Sequence, residues 1–250
     1  MRADRVGITS IERGIVARKV QGGSQREVSP ASSRSKRQEI LTTAIDHFGR
    51  HGYEYTKWAD IAADVGLGST ALYHYFESKL HCLFEIHAEA LAAERERFDR
   101  LTADRSDFGA TLERLLNGLF DLTDHEVLRN RVLVAEEGMI AVPRKSPREE
   151  EARRLARSRM RDIEFAWAAF LTRGMEQGVI PEADPRLLTQ ALLGLYKSVW
   201  HWYRPGGELS LDDIREFFVE RCLAVAGCSR ETASVPAKPA RKPRAARRAA

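Results

Sequence analysis

The sequence predicts an all-α fold, and three observations carry the prediction. Between about residues 35 and 227 proline is sparse, the two-residue alternation of strands is missing, and apolar residues recur at spacings of three and four. The 250 residues are 43% hydrophobic and 30% charged, enough apolar material for a sizeable core in a protein of ordinary globular composition. No apolar stretch is long enough to span a bilayer, and the opening residues mix acids into basic positions without the apolar run of a signal peptide. A soluble chain with a cytoplasmic location and no membrane partner is the expectation.

Residues 1–34 lack sustained apolar periodicity and end in SPASSRS, which reads as a disordered basic arm. The first helix is expected from Ser35 to His51, with Ile40, Leu41, Ala44, Ile45 and Phe48 on one stripe and Gly52 able to close it in a left-handed cap. A second begins at Thr56, whose hydroxyl can cap exposed amides, and carries Trp58, Ile61 and Ala62 inward. Val65-Gly66-Leu67 interrupts it, Gly66 permitting the positive φ of a sharp turn, and a third short helix runs from Ser69 to Phe76.

Longer helices follow, from Lys79 to about Leu101 and near 107–123, 126–140, 147–178, 185–203 and 211–226. Pro143, Pro147, Gly178, Pro181 and Arg204-Pro-Gly-Gly207 punctuate them, and Ser210 can cap the last with Asp213 three residues on. The tail from 228 to 250, rich in Arg, Pro and Ala, has little to bury and is expected to be disordered. The domain plan is thus an arm over 1–34, a three-helix unit over 35–80, a larger helical unit over 81–227, and the tail.

The formal net charge of +4 is unevenly spread. The arm carries +4 and the tail +6, leaving −6 on the folded middle, so the basic balance belongs to the ends. Cys82, Cys222 and Cys228 form no CxxC pair and read as buried thiols. The seven histidines, at 47, 51, 74, 81, 87, 125 and 201, are scattered, and His81 and His87 lack the i, i+4 spacing of a helical metal site. No Gly-rich phosphate loop appears. No metal, cofactor or catalytic group is therefore assigned, and an enzyme is not expected.

Thr56 to Phe76 has the parts of a helix-turn-helix: two short helices, a tight turn, and a second helix with short polar groups outward. Ile61, Ala62, Val65 and Leu72 can bury its inner faces while Ser69, Thr70, Tyr73 and His74 face out. Pattern alone leaves this open against an ordinary helical hairpin with a solvated face.

The stretch SKRQEILTTAIDHFGRHGYEYTKWADIAADVGLGSTALYHYFESKLHCLFEI resembles the N-terminal domain of TetR-type (TetR/AcrR) regulators in order and spacing. The shared parts are an apolar first helix, the Gly-Tyr-x-x-Thr entry, the Asp-Ile-Ala helix, the Val-Gly-Leu turn and Leu-Tyr-x-Tyr-Phe-x-Ser-Lys. The resemblance implies a three-helix DNA-binding domain followed by a larger helical ligand-binding and dimerisation domain, in a ligand-responsive repressor. By position it implies phosphate contacts from Thr56, Tyr73 and Lys79, an added one from Lys57, and base-edge contacts from Ser69, Thr70 and His74, with Gly68 at the helix start. Gly68 stands where the family often has serine, removing a capping hydroxyl, and Trp58 replaces a smaller aliphatic residue. From Ser35 to Leu80 there are five basic and six acidic side chains, meagre for a DNA surface, so the basic ends are expected to add phosphate attraction.

The partners implied are a palindromic duplex operator, a second copy of the chain and a small-molecule effector. Leu188, Leu192, Leu195 and Val199 with Ile214, Phe217, Phe218 and Leu223 form the expected dimer seams. Trp167, Phe170, Trp200 and Tyr203 are candidates to line an effector pocket, beside Trp202. The charged stretch 144–161 reads as a solvated helix face, or as Arg153, Arg154, Arg157 and Arg161 placed to meet acyl-CoA phosphates. The second alternative follows a looser resemblance to TetR-type regulators of lipid or sterol degradation.

Overall fold

The computed structural model describes residues 30–104 and 106–228, and every described element is helical. In chain order these are α1 (Pro30–His51), α2 (Trp58–Asp64), α3 (Ser69–Leu72), α4 (Lys79–Leu101) and α5 (Phe108–Gly118). They continue as α6 (Asp124–Ala135), α7 (Glu137–Ala141), α8 (Pro147–Glu176), α9 (Pro185–Trp202) and α10 (Leu211–Val225). The basic tail from residue 229, and the arm as far as residue 29, lie outside the described residues, while Cys228, assigned to the tail, is buried in the core. Residues 30–34, assigned to the arm, instead belong to α1. The apolar stripe begins only at Ile40, so periodicity could not reveal this polar first turn.

Several helix ends follow directly from local chemistry. Ser78, Asp107, Thr123, Ser146, Asp184 and Ser210 each accept a backbone N–H in the first turn of the helix they precede. Thr123–Glu126 and Ser210–Asp213 close reciprocal capping boxes, the second as expected. Gly66 has φ of +67°, and the N–H of Leu67 reaches back to the Ala62 carbonyl at 2.8 Å, so the helix-turn-helix turn is a left-handed glycine cap. The expected helix over 126–140 breaks at Glu136 into α6 and α7.

One core joins α1, α2, α3 and the first turns of α4: Ile40, Leu41, Ile45, Phe48, Ile61, Val65, Leu72, Phe76, Leu83 and Ile86 are buried together. Leu128 and Val132 of α6 belong to the same cluster. The packing therefore runs past residue 80 and includes a helix of the larger unit. A second, larger core gathers α5, α8, α9 and α10 around Leu112, Leu115, Trp167, Phe170, Leu192 and Trp200. Between them, Phe84 and Ala88 of α4 meet Ile140 of α7 and Ala152 and Ala156 of α8, the alanines letting α4 and α8 lie close.

The beginnings of α4 and α8 are also tied by a reciprocal pair of hydroxyl–carboxylate bonds. Ser78 donates to Glu149 at 2.5 Å, and Ser146 donates to Glu77. Each serine thus caps its own helix and bonds an acid beside the other.

Gly174 of α8 faces α5 so closely that a Cβ there would collide with the Phe108 ring and lie 2.9 Å from Ile180 Cδ1. Phe108 stacks on Phe170 with centroids 4.6 Å apart and cannot retreat freely. Gly174→Val is therefore expected to lower stability by about 1–3 kcal/mol through overpacking, measured as a fall in the urea midpoint.

Candidate functional site

The helix-turn-helix presents an exposed polar edge made of Lys57, Gly68, Ser69, Thr70, Tyr73 and His74. Lys57 is the N-cap of α2 and Gly68 that of α3, and neither supplies a side-chain cap, so first-turn amides at both helix starts are left without one. Tyr73 and His74 lie just past α3 rather than within it. Bonds from His74 N to Ala71 O and from Tyr75 N to Leu72 O carry the chain through a tight turn where a longer recognition helix was expected. Tyr55, two residues before Lys57 on the loop before α2, is 86% exposed and escaped the sequence reading. An aromatic residue between two charged or polar neighbours gives no pattern to single it out.

Two expected phosphate ligands are engaged elsewhere. Thr56 is 4% exposed, and its hydroxyl donates to the Gly52 carbonyl at 2.8 Å, so it secures the end of α1 and does not cap α2. The Lys79 ammonium bonds the carbonyls of Tyr53 at 2.7 Å and Thr56 at 3.0 Å and sits 4.2 Å from the Tyr53 ring centroid. It clasps the loop between α1 and α2 instead of standing free. Trp58 meets Phe76 edge to face at 6.4 Å, which is how the larger residue is accommodated.

In the larger unit a cavity of about 60 Å³ lies among α4, α6, α7, α8 and α9. Leu91, Leu133, Val134, Met160, Ile163 and Leu193 give it apolar walls, and His87, Glu94, Asn130, Tyr196 and the Lys197–Glu137 pair supply polar groups. Of the expected pocket residues only Trp200 reaches it. Trp167 and Phe170 pack in the core against Phe98, Tyr203 is buried beside Trp200, and Trp202 is exposed on the surface.

The arginines of α8 also lie away from the cavity. Arg153 and Arg154 both bond Glu150, Arg153 also bonding the Ile140 carbonyl, while Arg157 and Arg161 are exposed. The solvated-face reading of 144–161 describes these last two, whereas Arg153 is buried in an ion pair.

His87 is 1% exposed, and its Nε2 is buried with no hydrogen-bond partner among the described residues. Burial pushes its pKa down to about 3, so the imidazole is neutral. Burial likewise raises the Glu94 carboxyl, against the pull of Arg129, Lys197 and Arg97. Trp200 Nε1 is likewise buried without a hydrogen-bond partner among the described residues. Histidine and glutamate on the apolar face of a helix were the available signal; His87 and Glu94 stand seven residues apart on that face of α4.

The expected dimer seams divide. Leu188, Leu192, Val199, Ile214 and Leu223 are buried in the chain's own core. Leu187 and Trp202 on α9 and Phe217 and Val225 on α10 are the large apolar residues left exposed. Both faces of α9 are apolar, so spacing alone could not tell the inner stripe from the outer.

Among the described residues no helix is long and apolar enough to cross a membrane, and no three His, Cys, Asp or Glu side chains gather to hold a metal. An exposed helix-turn-helix, packed on a helical body with an internal cavity, is the architecture of a one-component DNA-binding regulator. Residues 40–86 match the family model of bacterial regulatory proteins of the tetR family, and residues 131–226 match that of the tetracyclin repressor-like C-terminal domain. The chain belongs to the TetR family.

It is 27% identical over 196 residues to the HTH-type transcriptional repressor KstR2 of Rhodococcus jostii, covering 75% of this chain and 89% of that protein. The crystal structure of PfmR from Thermus thermophilus, a TetR family transcriptional regulator, superposes with a TM-score of 0.61 at 26% identity, covering 76% of this chain and 97% of PfmR. The crystal structure of AibR in complex with isovaleryl coenzyme A and operator DNA shares the fold with a TM-score of 0.62 at 21% identity, over 74% of this chain and 97% of AibR.

Proposed function

We propose that this chain is a homodimeric, sequence-specific transcriptional repressor that leaves its operator when a lipid-like small molecule, such as an acyl-CoA, enters the helical body. The observation that carries the proposal is the exposed edge of the helix-turn-helix within a sequence matched to the tetR family. Ser69, Thr70 and His74 are assigned to base edges, and Lys57, Tyr73 and the newly found Tyr55 to phosphates, with Gly68 letting the backbone approach.

Two copies related by a two-fold axis, joined through the outward faces of α9 and α10, present two recognition elements to a palindrome. The similarity to KstR2 supports repression, and the mainly apolar cavity supports an effector with an apolar body. No catalytic role is assigned, and such a repressor works in the cytoplasm, where bacterial DNA lies.

Selection of bound duplexes from a random library at fixed salt tests the reading. A palindrome with half-sites about one helical turn apart is the expected result. Tight binding with no enriched sequence would contradict it, and so would no binding.

A further inference from the structure

A second cavity, of about 270 Å³, lies where the end of α1 meets α6 and the end of α9. Arg50, Arg131 and Arg204 line it with His51 and His201, against one carboxylate, Glu136. The Arg131 side chain is only partly exposed, yet its guanidinium makes no hydrogen bond or ion pair among the described residues. Among the described residues the Arg204 guanidinium bonds only the carbonyls of His201 and Tyr203. Burial and the neighbouring Arg204 both disfavour the charge on Arg131. Two guanidinium groups held together without an acid between them cost stability, and an anion between them would return it. Trp200, 2% exposed, borders both this cleft and the apolar cavity described above.

We infer that the cleft between α1, α6 and α9 binds the diphosphate-like head of a small molecule, whose apolar part lies beyond Trp200 in the neighbouring cavity. The inference rests on the ligand-responsive reading and deepens it. The head would touch the last turn of α1, a helix of the DNA-binding unit, so the ligand would bridge the two units. A concave cleft of this volume suits a compact anion better than the extended backbone of a duplex.

Titration calorimetry of inorganic pyrophosphate into the full-length protein, without DNA, tests the head site. The wild type is expected to bind, and Arg131→Gln and Arg204→Gln each to weaken binding at least tenfold. The basic ends are the same in all three proteins, so their contribution cancels in the comparison.

Because Arg131 has no acid to lose, Arg131→Gln is also expected to melt at or above the wild-type temperature when no anion is present. A lower melting temperature would make Arg131 a structural residue and overturn the inference. So would equal affinities, or no wild-type binding at millimolar pyrophosphate. Since no operator is used, failure here leaves the repressor reading standing, and a failed duplex selection leaves this result intact.

Discussion

Acid unfolding of the wild-type protein is expected to take up one more proton, between about pH 6.5 and pH 3, than acid unfolding of His87→Leu. His87 is 1% exposed in the wall of the cavity, and no group among the described residues bonds its Nε2. Its folded pKa lies below its unfolded value, so the unfolded chain binds the proton first. Above pH 6.5 both states hold the neutral ring and no penalty applies. As pH falls toward 3 the folded state loses ground, by on the order of 4 kcal/mol in total.

Leucine removes that slope. It also removes a buried polar atom without a partner, so at neutral pH the variant is expected to match or exceed the wild type by about 1–3 kcal/mol. Glu94, Glu137, Glu164, Tyr196 and Lys197 line the same cavity and remain in both proteins. The raised pKa of Glu94 acts in the opposite direction, stability falling as pH rises through it, and cancels in the difference. Urea unfolding across a pH series gives the result directly. Parallel curves for the two proteins would show that water reaches His87.

The other large effect is expected on DNA. Thr70→Ala is expected to relax discrimination at one base pair of each half-site by about 1–3 kcal/mol, while binding to a scrambled duplex changes little. Tyr73→Ala is expected to weaken operator and scrambled duplex alike, with a shallower salt dependence. Both side chains are exposed and outside the cores, so neither variant should melt differently from the wild type. Fluorescence anisotropy with both duplexes at two salt concentrations separates the effects. Equal losses on both duplexes for Thr70→Ala would assign it to the backbone instead.

How much of this could be read beforehand varies with the distance over which the residues meet. The stripe from Ile40 to Phe48, the Gly66 turn and the Ser210–Asp213 cap are made by neighbours in sequence, and the structure has them as expected. The cavity assembles His87, Asn130, Met160 and Trp200 from four helices, and nothing local to any of them announces the others. The inward hydroxyl of Thr56 and the clasp made by Lys79 depend on which way a loop folds back. The division of α9 into an inner and an outer apolar face depends on what packs against it. Aromatic residues at helical spacing proved to be core at Trp167 and Phe170, because large rings stabilise a core by the same burial that would suit a ligand.

Leu128 and Val132 of α6 share the helix-turn-helix core, and Leu128 approaches Gly49 of α1 so closely that a Cβ there would lie 2.9 Å from the leucine Cβ. This chain is consequently a poor donor for modular engineering at residue 80. A recognition module cut there and grafted onto another sensor would carry half of a jigsaw whose matching edge stays behind. A working chimera would have to transplant the α6 face together with α1, or rebuild position 49 to fit its new neighbour. The same constraint would restrict recombination between related regulators to exchanges that keep these two helices together.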